Sequence, residues 1–478
     1  MPPHLATVVF IILILALFWL DRDPEARTSM ALWVPTVWLL INASRPVSLW
    51  LAAFGFNVGT EISQADQYLE GSPIDRNVFA VLLAAGLIVL ASRRRQVGSL
   101  LRRNVPILLF FSYCLLSILW SDYPFITLKH WIKGVGDVVM VSVVLTESEP
   151  EAALKRILRP ASFLLIPLSV LFIKYYPDLG RGYRAWTWTP MYSGVTMGKN
   201  LLGMTCLICG LGSLWSFLAA YRDRNGRERR RRLIAHGTVL LMVFWLFWIA
   251  NSMTSLSCFV MAGGLMVITS LSRSARNPGV AHFLVAAVIC VPLFALFSGM
   301  GGGMVESLGR DPTFTGRTAI WKVVLSLSGN PLVGTGYESF WLSERLLRIG
   351  ELTMKGLQEA HNGYLEVYLN LGWIGVTLLA VLIVTGYRNV VFTLRRNPHA
   401  GGIRLALFVV TLVFSLTEAG FRMMAPVWIT FLLATTALPE AANAEVSAAL
   451  SIEHGPNFAE PQPQSHHVFD SSFPQEGF

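Results

Sequence analysis

Charge is what this chain of 478 residues has least of. Only 14% of its side chains are charged while 54% are hydrophobic, against about 25% charged in a typical soluble domain. With a mean hydropathy of +0.54, that scarcity excludes a water-soluble core. Cysteine is sparse too. Cys114, Cys206, Cys209, Cys258 and Cys290 all fall inside apolar runs, which argues against a disulfide scaffold. The Cys206-x-x-Cys209 spacing suits a redox pair, but within an apolar helix these side chains pack as small hydrophobes. No metal-ligand cluster stands out, so neither a metal nor a cofactor is expected. A basic leader and a small-residue cleavage site are missing around the apolar stretch 4–20, which reads as a retained span and not a removed signal peptide. The net charge of +9 sits mostly in a few short loops; it speaks of membrane topology, not of nucleic acid.

Long apolar runs are abundant. They lie at about 5–20, 29–42, 77–91, 105–120, 128–146, 157–173, 198–220, 233–250, 256–272, 280–298, 363–386, 403–418 and 424–438. Crossing a bilayer takes roughly 20 apolar residues as a helix. The expected fold is therefore all-α: a polytopic integral membrane protein of about 12–13 transmembrane helices, occupying residues 1–440, with a disordered cytoplasmic tail at 441–478. Pro35 and Pro46 leave open whether 29–56 is one span or a broken one. Arginine marks the connections, with five in 92–103, seven in 221–232, two in 273–276 and four in 388–404. By the positive-inside rule these face the cytoplasm, which places 299–362 outside, as one large periplasmic loop.

A second external loop breaks that charge rule. Residues 174–199 hold Lys174, Arg181, Arg184 and Lys199 against Asp178 alone. Either the other loops fix orientation, or these cations form an anion site beside Tyr183, Trp186 and Trp188. The large loop is balanced, six basic against six acidic residues. Its pattern predicts an amphipathic surface helix over 318–327, a turn over 331–340, and a second surface helix over 341–359 interrupted near Gly350.

His361 stands at the mouth of the next span. Along a helix starting there, Tyr364 and Tyr368 share its face, and Asn362, Glu366 and Asn370 form a neighbouring polar stripe. A carboxylate at membrane depth is a functional candidate. A neutral histidine with an ordinary pKa of about 6.5 suits the removal of a hydroxyl proton; the competing role is a helix cap with packed tyrosines. Arg317 opens the first surface helix, where a forked guanidinium and a helix N-terminus both favour phosphate, unless it merely snorkels. Lys199-Asn200 begins a span. Glu418 and Arg422 either pair with each other, or Arg422 faces a substrate.

Several motifs occur in a set order: Gly316-Arg317-Thr318-x-x-Trp321, Asn330-Pro331-Leu332-x-Gly334-x-Gly336-Tyr337, His361-Asn362-x-Tyr364-Leu365-Glu366 and Leu371-Gly372-x-x-Gly375. Together they resemble the family of O-antigen ligases and polysaccharide polymerases. Arg45 through Trp50, Ser121-Asp122-Tyr123-Pro124, and Gly194 through Gly203 look more like its exopolysaccharide-production branch, the succinoglycan-type polymerases. The resemblance implies a multi-pass protein of the bacterial inner membrane that carries out metal-independent glycosyl transfer. The donor would be an undecaprenyl-diphosphate-linked oligosaccharide, polymerised into exopolysaccharide at the periplasmic face, with a flippase and a chain-length regulator as expected partners. The family's loop arginine matches Arg317 and its histidine matches His361; its middle-loop cations match Arg181, Arg184 or Lys199. With Asn200, Asn362, Glu366 and Arg422 these make the expected substrate contacts. The alternatives are a ligase moving a finished glycan to lipid A core or protein, and a transporter of lipid-linked oligosaccharide.

Overall fold

The computed structural model describes residues 1–22, 28–56, 72–183, 190–223, 226–271, 315–353 and 357–438, with 279, 282–283, 285–288 and 290. Arg184, the start of the large loop, most of the 280–298 run and the 441–478 tail lie outside them.

Each apolar run that falls within the described residues forms helix. In chain order these are α1 (Pro3–Leu20), α2 (Trp33–Asn42), α3 (Val47–Ala53), α4 (Pro73–Ser92), α5 (Arg94–Arg103), α6 (Val105–Leu116), α7 (Pro124–Leu145), α8 (Pro150–Tyr175), α9 (Lys199–Arg222), α10 (Gly226–Ala250) and α11 (Met253–Leu271). After them come α12 (Thr315–Ser326), α13 (Ser343–Thr353), α14 (Gly363–Arg396), α15 (Pro398–Phe414) and α16 (Pro426–Thr435). One small hairpin, β1 (Arg181–Tyr183) against β2 (Pro190–Tyr192), lies between α8 and α9. Seven of the described helices are individually long and apolar enough to span a membrane, and α5 with α6 makes a candidate bent by 85°. The protein is a polytopic all-α membrane protein. Residues 29–56 are broken: α2 ends at Asn42 and α3 starts after Pro46.

Helices α8 and α9 form the buried middle, whereas few residues of α1 and α4 are fully buried. Leu15, Ile88, Leu241 and Trp248 point outward; such a surface is at ease only in lipid. Cys206 and Cys209 pack as free, buried side chains.

The feature that positions the site is a break in α14. Gly372 leaves the helix with φ of 63°, and such a break orphans backbone donors and acceptors. The 330–336 turn supplies their partners. Thr335 N and Gly336 N donate to the carbonyls of Leu369 (3.2 Å) and Asn370 (2.8 Å), while Trp373 N and Ile374 N donate to Pro331 (2.9 Å) and Leu332 (3.1 Å). A Cβ on Gly372 would stand 2.3 Å from the Leu332 carbonyl carbon, and one on Gly334 2.4 Å from that of Asn370. The Asn-Pro-Leu-x-Gly-x-Gly-Tyr and Leu-Gly-x-x-Gly motifs are thus two halves of one joint.

Around that joint the large loop builds its own small core from Ile320, Val324, Phe340, Trp341, Ile349, Ala360 and Leu369. Helix α12 starts three residues earlier than expected. Helix α13 covers only 343–353 and runs through Gly350, since one glycine weakens a helix by only ~1 kcal/mol and need not end it.

Candidate active site

Three distant segments meet at one carboxylate. Helix α15 ends at Phe414 and the chain turns; Glu418 N donates to the Phe414 carbonyl at 2.9 Å. The stretch before α14 docks on that turn. Gly363 N donates to Ser415 O at 2.7 Å, Asn362 Nδ2 to Leu416 O at 3.3 Å and Tyr364 Oη to Leu412 O at 3.1 Å. Tyr364 also packs edge-on against Phe421. These contacts bring His361 to Glu418.

His361 itself is not helical. It has φ of 51°, a left-handed conformation uncommon outside glycine; strain of this kind gathers at functional sites. Its Nδ1 lies 2.9 Å from Glu359 Oε1 and 3.3 Å from Glu418 Oε2. Among the described residues Nε2 has no hydrogen-bond partner. Arg317, in the first turn of α12, places Nη2 3.1 Å from Glu418 Oε1. Asn200, second residue of α9 and next to Lys199, donates to Glu418 Oε2 at 3.2 Å. Arg422 does not pair with Glu418: its Nε lies 3.4 Å from Glu338 Oε2 and its Nη1 3.9 Å from Glu359 Oε2. The result is an alternating chain of charges: Glu338, Arg422, Glu359, His361, Glu418, Arg317. The turn that carries Arg422 is pinned by buried Asp137, which accepts from Met424 N at 2.7 Å and Trp38 Nε1 at 2.9 Å.

This environment changes one expectation. The Glu359 hydrogen bond first, then that of Glu418, push the His361 pKa up to about 9 against the opposing effect of burial. At neutral pH the resting imidazole is therefore mostly protonated, not the neutral base expected from an ordinary histidine. Burial pushes Glu359 upward, but its hydrogen bond to His361 and the neighbouring His361, Arg422 and Arg317 charges outweigh this and hold it below the ordinary carboxylate range.

Residues 203–380 match the O-antigen ligase family. The resemblance carried by the motifs is borne out. The matched stretch contains Arg317 and His361, and Glu418 follows it. The exopolysaccharide production protein ExoQ of Rhizobium meliloti is 25% identical over 311 residues, which is 63% of this chain and 68% of that one. A Rickettsia felis protein provisionally named a polysaccharide ligase is 22% identical over 282 residues, 58% of this chain and 66% of its own.

Other expected site residues are placed differently. Arg181 donates Nε to Ile173 O at 2.8 Å and lies over the Tyr192 ring. Asn362 caps α14, its Oδ1 accepting from Tyr364 N and Leu365 N at 3.0 Å each. Glu366 is 2% exposed, and both its oxygens are occupied, by Trp341 Nε1 at 2.8 Å and Ala360 N at 2.5 Å. Asn370 Oδ1 holds Ser339 N and Phe340 N at 3.0 Å each. Glu366 and Asn370 thus fasten the large loop to α14, and Asn362 caps that helix.

Two of the three branch-specific motifs are framework, while the third, Gly194 through Gly203, carries Asn200 to Glu418. Arg45 donates to the carbonyls of Thr196, Leu179 and Gly194, and Asp122 pairs with Arg345 of α13. Glu359, His361 and Glu418 have donor atoms within 4.8 Å of one another, near enough to share a cation. Arg317, Arg422 and the imidazole already balance their charge. A cavity of about 1,870 Å³, lined by Arg103, Arg388, Arg395 and Arg396, includes none of these site residues.

The sequence pattern offers Glu418 only as a partner for Arg422 and does not point to Glu359 or Glu338, which reach His361 and Arg422 in the folded chain. The available signal was a lone carboxylate in an apolar stretch.

Proposed function

We propose that this protein is a metal-independent glycosyltransferase of the bacterial inner membrane. It joins polyprenyl-diphosphate-linked oligosaccharide repeat units into exopolysaccharide on the periplasmic side. The observation that carries this reading is the convergence of Arg317 and His361, one suited to phosphate and one to proton transfer, on a shared carboxylate beside Asn200. Among the described residues the Arg317 guanidinium makes one hydrogen bond, to Glu418, and it has five N–H donors in all. Those left over suit the diphosphate, on which charge develops as the glycosidic bond breaks. Lys199, next to Asn200, and Arg422 add positive charge on either side. His361 Nε2 takes the proton of the acceptor hydroxyl once the imidazolium has lost its own.

The test is incubation of the purified protein with undecaprenyl-diphosphate repeat units. Longer lipid-linked products are expected, and EDTA should leave their yield unchanged. The family description and the Rickettsia relative's name favour a second reading, a ligase. Product on lipid A core, with no lengthening of the repeat units, would support the ligase instead.

A further inference from the structure

Glu418 makes contacts that no substrate-binding role explains. Its side chain is 10% exposed, that of Glu359 is 31%. One oxygen accepts from Arg317, the other from Asn200 and His361. Both oxygens are thus turned to the residues assigned to catalysis. Glu359 reaches His361 and Arg422 but not Arg317.

We propose that Glu418 is a positioning residue of the transfer reaction: with the nearer Glu359 it keeps a proton on His361 Nδ1, so that Nε2 faces the acceptor, and it alone also turns the Arg317 guanidinium into the same site. The proposal rests on the reading of His361 as the base. In the step itself the acceptor oxygen bonds to the anomeric carbon as the carbon–oxygen bond to diphosphate breaks. The electron pair leaves on the diphosphate beside Arg317. The hydroxyl proton moves to Nε2, the imidazolium is held by Glu418 and Glu359, and the proton then passes to solvent. An Nδ1–H oriented by a carboxylate is the same device that fixes the tautomer in serine-protease triads.

Charged groups face His361 from three sides: Glu359 from its own segment, Arg317 from α12, and Glu418 with Arg422 from the turn after α15. Removing one carboxylate should therefore move the histidine's titration and leave the other charges in place. The experiment compares the pH dependence of kcat/KM, which reports the free enzyme, for the wild type, Glu418→Gln, Glu418→Asp and Glu359→Gln. It is paired with NMR titration of the His361 imidazole in nanodiscs.

In the wild type kcat/KM should climb as pH rises through the histidine's pKa, well above the ordinary value of about 6.5. Glu418→Gln should shift that limb to lower pH and reduce the plateau by on the order of 10²–10⁴. Glu359→Gln should shift the limb with a smaller loss of plateau, because Arg317 keeps its partner. Glu418→Asp, which keeps the charge, should leave the limb nearer that of the wild type. An equal loss at every pH with the limb unmoved in Glu418→Gln would overturn the proposal, as would a neutral tautomer protonated on Nε2. If the wild type transfers to no acceptor, the glycosyltransferase reading fails. The NMR titration still decides whether Glu418 holds the Nδ1 proton.

Discussion

Glu366 and Glu418 are both buried carboxylates beside the same histidine segment, and they do opposite things. The donors on Glu366 are an indole N–H and a backbone N–H, neither of which titrates or moves toward a ligand. Glu418 is met by a guanidinium, an imidazole and an amide, two of which carry or exchange charge. Burial alone does not separate them, since Glu366 is the more enclosed of the pair. What separates them is the chemistry of their partners. A buried acid closed by neutral N–H groups is a fastener; one shared between cations can take part in a reaction.

The contrast can be broken most forcefully at Arg317. Arg317→Ala should cut transfer by ~10²–10³, as loss of one charge-stabilising donor does elsewhere. It should leave thermal stability close to the wild type, because the side chain is partly solvated. Arg317→Lys should recover little, since an ammonium lacks the fork. Equal rates for Lys and Arg would show that charge alone serves.

On the fastener side the largest effect is expected at the joint. Gly372→Ala forces a Cβ against the Leu332 carbonyl at a positive φ. It should lower stability by about 1–3 kcal/mol or more, seen as a reduced Tm in detergent and lower yield. Glu366→Gln is milder. One of its two N–H donors then faces an amide NH₂, costing about 1–3 kcal/mol, while kcat per folded molecule should hold. A selective loss of kcat in Glu366→Gln at unchanged Tm would erase the distinction between the two acids.

How much of this was legible in the sequence follows from the range of each interaction. The helices could be read because apolar runs are local, and the motifs flagged Arg317 and His361 because each lies in a short local pattern. The α12 start and the 331–340 turn were close to expectation for the same reason, whereas the break at Gly372, inside a run that reads as one continuous span, was not. Glu418 was not legible as the hub. Its contacts with His361, Arg317 and Asn200 span 57, 101 and 218 residues of chain, and only tertiary packing decides such pairings. The protonation of His361 was hidden likewise, because one of the carboxylates that raise its pKa, Glu418, comes from the turn after α15. Asn362 and Glu366 read as substrate contacts because polar groups at a span's mouth suggest one; the helix cap made by Asn362 and the loop fastened by Glu366 are visible only in the folded chain.

The central claim is that His361 acts on the acceptor and Arg317 on the donor. The most direct measurement is donor binding beside single-turnover transfer for His361→Ala, at saturating undecaprenyl-diphosphate substrate. Loss of a general base is typically worth ~10²–10⁴ in rate, whereas an imidazole whose charge is already shared by two carboxylates adds little to holding a diphosphate. The prediction is donor affinity within a few-fold of wild type and transfer reduced by at least ~10². Transfer near the wild-type rate, or loss of donor binding that accounts for the whole defect, would contradict it.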